Sequence, residues 1–212
     1  MKKYRSKKSR SRGLISGLLS LAMVLAGVAL IAAFFFGQNL ENTATNSGDP
    51  GGFNVPELSP QAPAAVGGPE DKTLKLTIPR MSQIQDDTIP YVPGTDNEAL
   101  ASHAAIHLEG TGFPWQEEAN VYVAGHRLGY PNSDSFLAFF DLNKLQNGDE
   151  VYVTDANGTR YTYEVFEETV VSPADLSVTE PIPGKNIITL QTCTLPDYSD
   201  RLIVQAELVE VA

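Results

Sequence analysis

The chain has 212 residues and a formal net charge of −11, and seven of its 15 basic residues fall in the first twelve positions, ahead of all 26 acidic ones. The length allows one domain of ordinary size with appended segments, and the acidic body excludes nucleic acid as a partner, because phosphate affinity needs Lys/Arg clusters. The single cysteine, Cys193, excludes an intrachain disulfide and any multi-cysteine metal site.

The basic tail, residues 1–13, precedes Leu14 to Phe36, an uncharged apolar run that as a helix would span about 35 Å, enough for a hydrocarbon core. Positive charge before the run and none close behind predict a single-pass membrane anchor, with a cytoplasmic N-terminus and an extracellular body. A cleaved signal peptide is the rival reading, although signal peptides usually carry an apolar region of about 7–15 residues. Residues 37–70 hold many prolines and glycines and few large apolar side chains, the composition of a flexible linker. The folded domain is expected over 71–212.

Within the domain, Thr73 to Ile78 alternates apolar and polar residues and predicts a strand. Further strands are expected at 88–92, 120–124, 161–170, 186–192 and 201–209, and the β-rich runs flanking Asn157-Gly158 predict a hairpin over Val151 to Val165. Only 96–107 and 135–146 carry helix-compatible patterns. The fold class is therefore all-β, a mostly antiparallel barrel or sandwich with one or two short helices. No loop has the alternating ligand spacing of a calcium site, and neither metal nor cofactor is expected.

Candidate chemistry gathers at the C-terminal end. Cys193 closes the apolar run Ile187-Ile188-Thr189-Leu190-Gln191-Thr192, and eight residues later Arg201 opens Leu202-Ile203-Val204. A polar loop of seven residues that includes a proline joins the two runs, which suits antiparallel neighbours and puts Cys193 and Arg201 on one accessible rim of a sheet. Upstream, His126 ends the strand-like Asn120-Val121-Tyr122-Val123-Ala124-Gly125. A thiol, an imidazole and a guanidinium supply a nucleophile, an acid/base and an oxyanion partner, and a neighbouring cation favours the thiolate. Taken singly, a cysteine after a strand is more often a small core residue, a histidine there more often satisfies a local hydrogen bond, and an arginine is more often a solvated charge. His103 and His107 compete with His126 in the same region.

Thr189-Leu190-Gln191-Thr192-Cys193, Ala124-Gly125-His126 and Arg201, in that order behind an N-terminal anchor, resemble the sortase family over about residues 72–210. Finer details, such as Pro173-Ala174-Asp175, look most like its class E and class D branches. The resemblance implies a closed antiparallel β-barrel of about eight strands and a cysteine transpeptidase on the outer face of a Gram-positive membrane. Such an enzyme cuts the C-terminal LPXTG-like or LAXTG-like sorting signal of a secreted protein between Thr and Gly. In this scheme Cys193 forms the thioester, His126 protonates the leaving glycine amine, Arg201 stabilises the oxyanion, and an amine of a cell-wall precursor takes the acyl group. Thr192 and His107 would contribute to substrate binding. The alternatives are a pilin-polymerising sortase and an inert, wall-facing β-domain that only binds peptide. The long connection from Val171 to Lys185 is expected to border the groove for the sorting signal.

Overall fold

The computed structural model describes residues 55–58 and 67–212; the predicted membrane anchor at 14–36 and most of the linker lie outside them. Among the described residues nine strands form one sheet: β1 (Leu74–Thr77), β2 (Asp87–Ile89), β3 (Tyr91–Val92), β4 (Ile106–Leu108), β5 (Ala119–Ala124), β6 (Glu150–Thr154), β7 (Arg160–Val171), β8 (Asn186–Cys193) and β9 (Arg201–Val211). Their order is β2-β1-β6-β7-β9-β8-β5-β4-β3. The end strands β2 and β3 are consecutive in the chain, separated only by Pro90, whose carbonyl accepts the His107 amide at 2.9 Å. Proline has no amide to donate, so the ladder breaks there and one bent segment serves both ends of the sheet. The result is the all-β, nearly closed barrel expected from the sequence.

The expected antiparallel pattern holds for most neighbours, but β3–β4 and β5–β8 are parallel. The second of these matters for chemistry, because β5 leads to His126 and β8 ends at Cys193. The longest ladder, β7 against β9, has register shifts at Thr162/Tyr163 and Val165/Glu167, irregularities that bend and twist a strand as a barrel requires. The hairpin falls where Asn157-Gly158 predicts it, with a longer loop. Asp155 Oδ1 accepts the amides of Asn157 and Thr159 at 2.9 and 3.0 Å, and Gly158 takes a positive φ of 88°.

The two helix expectations are corrected. In 96–107 only α1 (Asn97–Ser102) is helical; Asp96 caps it by accepting the Ala99 amide at 2.9 Å, and His103 ends it in extended conformation. The following Ile106–Leu108 is β4, bonded between β3 and β5, so tertiary pairing overrides the local pattern. Over 135–146 the chain makes successive turns and one 3-10 turn at Leu142–Lys144. Leu137 there has φ 57°, a conformation that no right-handed helix accommodates.

Strand alternation sorts the buried side chains into two layers. Leu74, Leu76, Val121, Val123, Val151, Val153, Ile188, Leu190, Leu202 and Val204 fill the barrel. A second apolar cluster lies on the opposite face of β4, β5 and β8, built from Ala99, Leu100, Ile106, Leu108, Tyr122, Ala124 and Cys193. Val55, from the stretch read as linker, is buried in this second cluster, and Leu58 packs against it.

Candidate active site

Cys193 is the last residue of β8, and Arg201 the first of β9, and the two are directly paired in the antiparallel register. The intervening loop is pinned at its neck: the Thr194 amide donates to the Asp200 carbonyl at 3.0 Å, and the Asp200 amide to Thr194 Oγ1 at 3.2 Å. Arg201 Nη1 donates to the carbonyls of Tyr198 and Asp200, each at 3.2 Å. These charge-assisted bonds fix the guanidinium at the level of the thiol.

His126 reaches the same level from the other side. Ala124 pairs with Gln191 in the parallel β5–β8 ladder, and the Gly125 amide donates to the Gln191 carbonyl at 3.0 Å. Cross-strand partners point to the same side of a sheet, so Cys193 and Arg201 form one row; His126 follows two residues after the last β5–β8 pair, as Cys193 does on β8. Gly125 is required by close packing: a Cβ there would lie 2.9 Å from the Ala104 carbonyl oxygen and 3.0 Å from Phe139 Cδ2. The Phe139 amide donates to the His126 carbonyl at 3.0 Å, and the imidazole meets the Tyr130 ring edge-on at 5.5 Å.

Below this row runs a second, polar one that sequence reasoning missed. The buried Tyr122 hydroxyl donates to Gln191 Oε1, and Gln205 Nε2 donates to Thr189 Oγ1 at 3.1 Å. Burial pushes the Tyr122 pKa up, a trend that the positive charge of Arg201 opposes, so the phenol stays a neutral donor. Arg127 is the other omission. Its Nη2 donates to Asn143 Oδ1 at 2.7 Å and its guanidinium lies 5.9 Å from the Phe140 ring centre. Desolvation lowers its affinity for protons, while Asp141, Glu168 and Cys193 act in the opposite direction. The signal for Arg127 was its place next to His126; none in the sequence linked Tyr122 to Gln191.

Neither of the two residues expected at the substrate joins the row. Thr192, one step from Cys193, pairs with Leu202 of the barrel interior and is fully buried there, as period-two alternation dictates. His107 pairs with Val123, again on the interior side. Its Nε2 lies 2.9 Å from the Gly112 carbonyl, Tyr91 and Phe113 pack on its ring, and burial pulls its pKa down to about 4. The Val171–Lys185 connection does border the outer cluster. Asn120 Nδ2 ties it down by donating to the carbonyls of Val178 and Glu180 at 2.9 and 3.0 Å, and Val178 packs against the cluster that holds Cys193.

The expected open rim is in fact covered. Cys193 is only 2% exposed, Arg201 3% and His126 6%, and Cys193 lies in the outer cluster with Val55, against which Leu58, Val178 and Tyr198 pack. Among the described residues, no three His, Cys, Asp or Glu side chains converge as metal ligands.

Comparison with known proteins matches residues 76–209 to the Sortase domain family. A Sortase A of Streptococcus agalactiae is 33% identical over 120 residues, 57% of this chain and 47% of that protein. Sortase SrtE1 of Streptomyces coelicolor is 28% identical over 150 residues, 64% of this chain and 40% of that protein. The matched segments thus span less than half of these relatives. Among solved structures, Pilus Island 1 Sortase C2 of Group B Streptococcus superimposes with a TM-score of 0.56 at 32% identity, over 68% of this chain and 77% of that one.

Proposed function

The chain belongs to the sortase family, and from that premise we propose that it is a membrane-anchored cysteine transpeptidase. It cleaves an LPXTG-like or LAXTG-like sorting signal between Thr and Gly and passes the acyl group to a cell-wall amine. The observation that carries this reading is the direct pairing of Cys193 with Arg201, together with a parallel β5–β8 register whose last pair stands two residues before both His126 and Cys193.

The Cys193 thiolate attacks the Thr carbonyl carbon, and the oxygen takes negative charge beside the Arg201 guanidinium, which its loop carbonyls already orient. The C–N bond then breaks, His126 gives its proton to the departing glycine amine, and a thioester remains. An incoming amine adds to the thioester and returns a proton to His126 as the thiolate leaves; water in place of the amine gives hydrolysis. The uncharged run at 14–36 behind a basic tail supports anchoring with the catalytic domain outside the membrane.

Intact mass after mixing the full chain with LPXTG and LAXTG peptides tests the reading. The expected result is an acyl adduct that hydroxylamine removes and that Cys193→Ala lacks. No adduct and no cleavage with either peptide would overturn it.

A further inference from the structure

Gln191 stands two residues before Cys193 on β8, between Ala124 of β5 and Ile203 of β9. Alternation along the strand puts its side chain on the Cys193 face, while Leu190 turns into the barrel. The residue is 2% exposed. The Tyr122 hydroxyl donates to its Oε1, but Nε2 is buried and has no hydrogen-bond partner among the described residues. Thr192 Oγ1 and His107 Nδ1 are also unpartnered, yet both residues face the barrel interior, on the other side of the sheet from Cys193.

A buried donor left unmet costs about 1–3 kcal/mol, so a carboxamide in this position calls for a partner that the folded chain does not contain. Its direction is already set. Tyr122 is fully buried and pairs with Thr189, one pleat period below Gln191. A phenol that donates there holds Oε1 toward itself and leaves the two N–H bonds on the other arm of the amide. In an extended peptide alternate carbonyls point the same way about 7 Å apart, and Gln191 and Cys193 have that same spacing along β8. For a sorting signal lying along β8 with its Thr carbonyl at Cys193, the carbonyl level with Gln191 is that of the second residue, Pro in LPXTG and Ala in LAXTG.

We infer that Gln191 is a substrate-positioning residue whose Nε2 donates to the carbonyl of the second residue of the signal, with Tyr122 locking its direction. The inference rests on the sorting-signal reading above. A backbone contact is indifferent to Pro or Ala and sets the register that brings Thr, and not its neighbour, to the thiol. Because Nε2 is buried, the peptide shifts neighbouring side chains as it binds.

The test uses the full chain in detergent micelles and two substrates: an LPXTG peptide, and its depsipeptide with an ester in place of the Pro–X amide, which makes the Pro carbonyl a weaker acceptor. Wild type should favour the amide peptide by about tenfold in kcat/KM, the equivalent of about 1.4 kcal/mol. Tyr122→Phe/Gln191→Leu removes the donor together with the hydroxyl it would strand; it should lose about tenfold on the amide peptide and treat both substrates alike. Tyr122→Phe alone, whose amide is free to turn, should fall between. Gln191→Met repeats the measurement should the double variant lose its native circular dichroism. A preference for the amide peptide that survives the loss of Gln191 would overturn the contact and leave the transpeptidase reading standing. Binding of both peptides to Cys193→Ala, with and without Gln191→Met, separates the contact from the chemistry. An amide preference in binding that Gln191→Met abolishes, in a protein that forms no acyl adduct with either peptide, would keep the contact and sink the transpeptidase reading; neither binding nor cleavage would overturn both.

Discussion

Cys193 and Arg201 are cross-strand partners, and the guanidinium is held in place by the carbonyls of Tyr198 and Asp200 from the loop that joins the two strands. In the proposed mechanism the connection is therefore part of the catalytic geometry: its fold sets the plane from which positive charge would meet the oxyanion. A flat, permanently charged fork can bridge two carbonyls and keep its direction, whereas an ammonium on a flexible stem cannot.

Arg201→Lys should accordingly fail to restore function. Steady-state cleavage of a sorting-signal peptide should show kcat reduced by about 10²–10³, the usual loss for one oxyanion donor, with KM little changed. Full activity in the Lys variant would dismiss the oriented-donor role.

Gly125 controls His126 from the residue before it. A methyl group at Gly125 meets the Ala104 carbonyl and the Phe139 ring at 2.9 and 3.0 Å, and neither the backbone nor a fully buried ring has room to retreat. Gly125→Ala should destabilise by about 1–3 kcal/mol, the usual range for overpacking, and lower kcat although every catalytic side chain is retained. Urea unfolding and peptide cleavage together check this; an unchanged kcat would show that His126 does not depend on the packing behind it.

The pairing of Cys193 with Arg201 was legible in the sequence because one apolar run ends and the next begins at these residues. Cys193 closes one run and Arg201 opens the next, so antiparallel pairing alone sets them side by side. The hairpin at Asn157-Gly158 was readable for the same local reason. Pairing across distance was not: β5 and β8 are joined in parallel by residues far apart in the chain, and β4, three residues long, exists only because β3 and β5 flank it. Parity puts Thr192 and His107 on the interior side of the sheet. Once Cys193 faces outward, Thr192 must face the barrel core, and His107 follows Val123 inward. The burial of Val55 in the outer cluster was hidden because it sits in a stretch of linker composition.

The Tyr122–Gln191 bond lies directly beneath the row, fully inside the protein. Tyr122→Phe leaves the Gln191 carboxamide oxygen without its donor and should cost about 1–3 kcal/mol, the desolvation penalty of an unmatched buried polar group. Adding Gln191→Leu to that variant removes the stranded group and should recover part of the loss. Denaturant midpoints of the two single variants and the double variant measure the coupling; strictly additive losses would show that the bond contributes nothing.

His107 gives the fold a defined acid sensitivity. Buried among Tyr91 and Phe113 and donating only from Nε2 to the Gly112 carbonyl, it has a folded pKa pulled down to about 4 by desolvation, against 6.5 for an ordinary imidazole. The unfolded chain therefore binds a proton that the folded one refuses between those values, and stability rises with pH wherever the unfolded state holds more protons. The His107 contribution is intact above pH 6.5, falls away as the pH drops toward 4 and changes no further below it. At 1.36 kcal/mol per pKa unit the full loss is about 3 kcal/mol. Chemical denaturation of wild type and His107→Gln between pH 7.5 and 4 checks this. The wild-type free energy should decline more steeply than that of the variant, which is less stable at neutral pH but lacks the titrating ring. Parallel curves would show that His107 is protonated in the fold and that its burial is relieved on acidification.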